Sequence, residues 1–171
     1  MKNFYRLAVA LAVLIAASFL PGNARAQDSV TVLAGAELTR IVPPGFYFQG
    51  LSAPTQMRNA AAARFGDKRY VIVGLVDTSG YAADVRAKYE GFFITDSEVK
   101  INGSGLAVGA YGFGFSDDGK MQILDLAGNQ VLSVSTMKDA ELKRPRPLMM
   151  MKAADGLRFY GGKDYVTIRA R

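Results

Sequence analysis

Beyond residue 26 the chain breaks into short apolar runs divided by turn-forming residues, and most runs carry the two-residue period of a half-buried strand. Val30–Leu33, Glu37–Val42 and Phe46–Gln49 are predicted strands, with Pro43-Pro44-Gly45 breaking the chain before the third. Gln56–Phe65 and Arg69–Thr78 form a predicted hairpin around Gly66-Asp67-Lys68. Ala60–Ala63 favours helix by propensity, but the alternation of Gln56, Arg58 and Arg64 against Met57 and Phe65 argues for strand. Tyr70–Val76 is apolar on both faces, as a central strand covered on both sides would be. Gly80–Lys88 is the one predicted helix, with Ser79 placed to cap it.

Tyr89–Thr95 and Glu98–Ile101 continue the strand series, and Asn102-Gly103-Ser104-Gly105 is a predicted turn. Ala110–Ser116 alternates most clearly. Tyr111, Phe113 and Phe115 share one face, predicted to enter the core; Ala110, Gly112, Gly114 and Ser116 share the other, which lets a second layer approach closely. Asp117-Asp118-Gly119 turns the chain into Lys120–Leu126, Ala127–Gln130 turns it again, and Val131–Thr136 follows. After a polar loop, Lys138–Pro147, come Leu148–Lys152, Gly156–Tyr160 and Tyr165–Arg169. Successive hairpins of this kind build an all-β, antiparallel β-sandwich with one short helix, or alternatively a closed, lipocalin-like β-barrel. The irregular loop and the helix favour the sandwich. Gly45-Phe46-Tyr47-Phe48 and Gly109-Ala110-Tyr111-Gly112-Phe113 echo one another, either as two related halves or as two strands entered through glycine.

The first 26 residues follow a different pattern. Lys2 and Arg6 precede an apolar run from Leu7 to Leu20, Pro21-Gly22 ends it, and Ala24-Arg25-Ala26 closes the segment with small residues. This is the layout of a secretory signal peptide cleaved between Ala26 and Gln27. The run is shorter than the about 20 apolar residues of a spanning helix. The expectation is an exported protein, periplasmic or extracellular, with residues 27–171 as a single all-β domain and no transmembrane segment in the mature chain.

Charge changes the picture little. The chain has 21 basic and 15 acidic residues, but the leader holds Lys2, Arg6 and Arg25, which leaves the mature domain at a net +3. That gives no argument for nucleic acid. The chain has no Cys, His or Trp. Disulfides, histidine-based triads and the usual zinc sites are thereby excluded, and no side chain has an unperturbed titration between about pH 5 and 8.

The stretch Lys88–Phe115 resembles segments of small exported bacterial β-domains of unknown function. The resemblance rests on the Ile101-Asn102-Gly103 turn, the entry from Leu106 to Gly109 and the aromatic alternation that follows, with Asp77–Tyr81 and Lys143-Arg144-Pro145 as further points of likeness. It implies a fold and a compartment, and brings no catalytic residues or cofactor.

Candidate chemistry is sparse. Asp77-Thr78-Ser79-Gly80 is like an aspartic protease loop, but glycine comes one residue late and no second such loop exists to share a proton. The glycines of Gly103–Gly114 lead into a strand and not into the helix N-terminus a phosphate cradle needs. Asp117-Asp118-Gly119-Lys120 lacks the alternating ligands and later Glu of a calcium loop. Met149-Met150-Met151 reads as core filling. Asp77, Asp84, Glu90, Asp96 and Glu98 are of the right type for carboxylate-dependent hydrolysis, whose spacing a sequence does not fix. Lys143, Arg144 and Arg146, held extended by prolines, are candidate contacts for a polyanion, or else a solvated connection. The leading expectation is a non-enzymatic binding or structural module of unknown partner, with a cell-envelope component or a small apolar ligand as the candidates. The rivals are a barrel carrying a small apolar ligand, lined by Tyr111, Phe113, Phe115, Phe92 and Phe159, and the carboxylate hydrolase.

Overall fold

The computed structural model describes residues 29–171. The predicted leader and its Ala26–Gln27 cleavage point lie outside the described residues. Fourteen strands and two short helices follow: β1 Val30–Val32, α1 Gly35–Ile41, β2 Gly45–Phe48, β3 Leu51–Phe65, β4 Arg69–Val76, α2 Ala83–Arg86, β5 Gly91–Thr95, β6 Val99–Ile101, β7 Ser104–Leu106, β8 Gly109–Ser116, β9 Lys120–Leu124, β10 Gln130–Ser135, β11 Met137–Lys138, β12 Arg146–Ala153, β13 Gly156–Gly162 and β14 Asp164–Ala170. They make two antiparallel sheets, ordered β1-β3-β4-β5-β8-β9-β10 and β12-β13-β14-β6-β7, with β2 paired to β3 and β11 to β14. Neither sheet closes on itself, so the architecture is the sandwich and not the barrel.

The main core lies between the sheets. Val71, Val73, Phe93, Phe113, Met121 and Ile123 of the first sheet meet Val99, Ile101, Leu157, Phe159, Val166 and Ile168 of the second. Two-residue alternation predicts these inward positions directly. The other face of the first sheet is also buried. Val76, Phe92 and Leu124 point there and are covered by Val42, Phe46 and Phe48 from the α1–β2 segment and by Tyr81, Val85 and Tyr89 around α2. Tyr70–Val76 therefore reads as apolar on both sides because its sheet has a layer on each.

A row of paired residues across the first sheet organises this outer layer. Ala60, Gly74, Phe92, Gly112 and Leu124 stand directly opposite one another on β3, β4, β5, β8 and β9. Phe92 rises between two glycines, and Phe46 stacks on it at 5.2 Å. Phe48 lies over Gly112: a Cβ there would meet its ring at 2.6 Å. Tyr89 stacks on Phe48 with centroids 3.9 Å apart. Beside it, a Cβ on Gly114 would strike the Lys88 carbonyl oxygen. The glycine face of β8 thus admits a second layer, as its alternation predicts. The Tyr81 hydroxyl, shared between the carbonyls of Phe48 at 3.1 Å and Leu51 at 3.0 Å, holds the β2–β3 hairpin over the sheet. Its tip is tied to the far side by Gln49 N–H donating to Leu126 C=O at 2.9 Å.

Several predicted elements differ. Glu37–Val42 is not a strand; Gly35–Ile41 is a helix, so the fold has two helices and not one. Leu38 and Val42 are spaced by four, which satisfies an alternating pattern and a helical face equally, and both reach the outer layer. Glu37 in the first turn and Arg40 in the last complement the helix dipole. The predicted helix Gly80–Lys88 shrinks to Ala83–Arg86, and Ser79 does not cap it: the N-cap is Ala82, while Ser79 N–H donates to the Asp77 carboxylate at 3.0 Å. The turn after β6 is only Asn102-Gly103, both at positive φ (47° and 87°), so Ser104-Gly105 belong to β7. Of the three adjacent methionines only Met150 enters the core; Met149 is half-buried and Met151 exposed.

Phe48→Ala is expected to cost about 3–5 kcal/mol of stability in urea unfolding, and Gly112→Ala about 1–3 kcal/mol from overpacking. Because the two residues occupy one space, Gly112→Ala should cost much less in the Phe48→Ala background. Additive effects would show that the ring does not occupy the glycine notch.

Candidate functional site

The predicted ligand-lining aromatics sit in the sandwich. Phe113 is fully buried, while Tyr111 and Phe115 are half-buried against the same core. Phe113 and Phe115 meet Phe159 edge-on at 5.2 and 5.5 Å. The Tyr111 hydroxyl turns away to donate to the Ala107 carbonyl at 3.1 Å. Phe92 and Phe159 lie on opposite faces of the first sheet, so the five rings do not share one lining.

The acidic residues hold separate structural contacts. Asp77 closes its own turn, and the backbone N–H of Ser79 keeps its carboxyl below the ordinary value of 3.8. Asp96 accepts from Tyr70 N–H at 2.7 Å, and Glu98 pairs with Arg171 at 3.0 Å. Asp84 lies in the first turn of α2. Asp118 binds Lys120 Nζ at 2.6 Å within the hairpin turn. Among the described residues no group of three acidic side chains is placed to hold a metal ion. The basic cluster is exposed: Lys143 and Arg144 lie on the loop, which ends short of Pro147 because Arg146 already opens β12 opposite Gly162, and none of the three makes an ion pair among the described residues. The loop is anchored through Asp139, which accepts from the Tyr160 hydroxyl at 3.0 Å and whose N–H donates to Lys163 C=O.

Sequence reasoning missed a concavity between the two sheets. A groove of about 800 Å³ opens where the β6–β7 turn, the end of β10 and the outer face of β14 converge. Lys100, Asn102, Gly103, Ser104, Ser133, Val134, Ser135, Met137, Asp155, Thr167 and Arg169 line it. Asn102 rivets one end: its side-chain amide donates to Ser135 C=O at 2.7 Å, and its side-chain oxygen accepts from Thr167 N–H at 2.7 Å. The positive φ of Asn102 follows from the two-residue turn, so turn chemistry and inter-sheet clamp reside in one residue.

The electrostatics of the groove are one-sided. Lys100 and Arg169 stand directly opposite each other on β6 and β14 and project from the outer face, since Val99, Ile101 and Ile168 point inward. Like charges in that position repel. The next pair along the same face is matched: Glu98 faces Arg171 and bonds to it. Lys100 has no acidic partner among the described residues, and Arg169 Nε donates only to the Asp155 carbonyl at 2.7 Å. The Asp155 carboxylate does not neutralise them. Arg158 takes both its oxygens, at 3.2 and 3.3 Å, while the Arg158 guanidinium also lies 4.5 Å over the Tyr165 ring. Burial, the largest single influence, raises the Asp155 pKa, but the hydrogen bonds and charge of Arg158, the residue's own backbone N–H and the Thr167 hydroxyl together outweigh it and leave the group below 3.8. Two unneutralised cations therefore border a groove whose remaining lining mixes hydroxyl and amide groups with Val134, Met137 and the Arg158-bound Asp155. Their outward parity is legible in Val99-Lys100-Ile101 and Ile168-Arg169-Ala170; their juxtaposition is not, because it depends on pairing residues far apart in the chain.

Glu90, immediately before β5, is a half-buried carboxylate at the first sheet. Burial raises its pKa above 4.5, opposed by the bond it accepts from Phe115 N–H at 3.0 Å and aided by the charge of Asp117. Folded Glu90 thus binds its proton more tightly than unfolded Glu90. Its favourable contribution is full below the unfolded value and is lost as pH rises through the folded one. Glu90→Gln, which can still accept from Phe115 N–H, should gain stability relative to the parent as pH climbs from about 4 to about 7 in parallel denaturant titrations. A difference that shrinks over that range would reverse the assigned sign.

No protein-family model matches the chain, and no curated protein or solved structure matches it either.

Proposed function

We propose that the chain is an exported, non-enzymatic β-domain, acting in the periplasm or outside the cell, that binds an anionic polar ligand in the groove bordered by Lys100 and Arg169. The observation that carries this reading is the like-charged cross-strand pair left unneutralised beside a concavity of mixed polar and apolar lining, next to a matched Glu98–Arg171 pair that flanks the same strands. Direct opposition of like charges costs stability, and an anion held between them removes that cost. The groove volume lies within the about 300–1,000 Å³ of ligand sites. Ser104, Ser133, Ser135 and Thr167 supply the few orienting polar groups such sites use. Binding is favoured over catalysis because the candidate carboxylates of the sequence are spread over separate turns and ion pairs.

The test is titration of short, labelled anionic oligomers, oligoglutamate and oligogalacturonate, at low and moderate salt. Binding to at least one, weakened by added salt, is expected. The double variant Lys100→Ala/Arg169→Ala should lose about tenfold or more in affinity. Lys143→Ala/Arg144→Ala/Arg146→Ala should lose much less. Unchanged affinity in the groove variant, or its loss only in the loop variant, would remove the groove as the site.

A further inference from the structure

The groove has a feature that a pure side-chain anion site does not need. We infer that its ligand is an acidic peptide segment that binds in extended form, adding a strand to the free edge of β10. This rests on the groove being the binding site.

The argument starts from hydrogen-bond parity. Thr136 N–H donates to Gly119 C=O at 2.8 Å, so the backbone groups of Thr136 point toward β9. Directions alternate along a strand. Val134 therefore also points toward β9, while Ser133 and Ser135 point away from it. β10 is the last strand of its sheet, so among the described residues no strand is hydrogen-bonded to it on that side, where β7 of the second sheet comes near it. The Ser135 carbonyl is taken by Asn102, which marks the end of the open stretch. Ser133 N–H, Ser133 C=O and Ser135 N–H remain, all on residues that line the groove. An alternation of donor and acceptor at strand spacing is complementary to the backbone of an extended peptide.

The same edge is shaped against indiscriminate pairing. A register shift between Gln130 and Leu132 leaves Val131 as a bulge that interrupts the edge on one side. Asn102 closes the other. Between these limits the edge accommodates only a few residues, as a recognition site would and an aggregation-prone edge would not.

Charge selects the peptide. Lys100 and Arg169 are unneutralised, and side chains of an added strand alternate between its two faces, so acidic residues at every second position place one set on a single side. A second copy of this chain is a poor occupant, since residues 27–171 carry a net positive charge of 3. An anionic sugar is a poorer match than a peptide. The groove is lined by no aromatic ring on which a sugar face could stack, and its apolar lining is Val134 and Met137.

The experiment compares three labelled probes of equal charge by fluorescence anisotropy. They are an octapeptide alternating Glu and Thr, the same peptide N-methylated at alternate residues, and an oligogalacturonate. The first should bind best, and N-methylation, which deletes backbone donors while keeping charge, should weaken it about tenfold or more. Ser133→Pro removes an outward N–H at an edge position, where proline is tolerated. It should reduce binding of the first peptide by a similar factor while its circular dichroism and Tm stay near those of the parent. Should that variant fail to fold, the N-methylated probe decides alone. Equal binding of all three probes, abolished by Lys100→Ala/Arg169→Ala, would overturn the strand addition and leave the anion groove standing. Binding that ignores Lys100→Ala/Arg169→Ala, or no binding of any probe, would overturn both.

Discussion

The structure depends on how one row of side chains alternates in size across the first sheet. Ala60, Gly74, Phe92, Gly112 and Leu124 put a large ring between two bare backbones. Phe48 fills the space over Gly112 and Tyr89 closes over Phe48. A side chain at Gly112 would lift the β2–β3 hairpin off the sheet. The hairpin in turn covers Phe92 and, through Tyr81, fixes the segment that carries α2. The first sheet is therefore buried on both faces without a disulfide, in a chain that has no cysteine to form one. Aromatic rings set over glycines give dense packing where two larger residues would collide.

This packing bears on the groove. Its two walls belong to different sheets, and walls of different sheets hold a fixed distance only if the sheets do. The inter-sheet core supplies most of that rigidity, and Asn102 supplies the local link, with one side chain bonded to β10 and β14 at once. Around it, Arg158 absorbs the carboxylates of Asp155 and Asp139, at 3.2 and 3.8 Å. Of the two acids only Asp155 borders the groove, and both of its carboxylate oxygens are engaged by Arg158. The positive character of the groove is thus a consequence of where the negative charges are spent.

Much of the fold was legible in the sequence because strand alternation is local. The hairpin around Gly66-Asp67-Lys68, the two-faced burial of β4 and the opposed aromatic and glycine faces of β8 follow from residues next to one another. Glu37–Val42 misled because Leu38 and Val42 fit a two-residue and a four-residue period alike, and contact with β3 and the outer layer decides between them. The groove was illegible for a different reason. Lys100 and Arg169 each look like an ordinary outward residue, and only the register of β6 against β14 makes them neighbours. The residues the sequence did single out, Lys143, Arg144 and Arg146, are close together in the chain and hence conspicuous, yet the fold leaves them exposed outside the groove, on a loop and at the start of β12.

Native-state hydrogen exchange of the β2–β3 hairpin tests the central claim most directly. If Phe48 in its glycine notch is integral to the sandwich, the strand amides of β2 should exchange only through global unfolding, with the same protection free energy as those of β5 and β8. Hairpin amides that exchange by a separate opening, well below the global value, would contradict it and reduce the outer layer to a detachable flap.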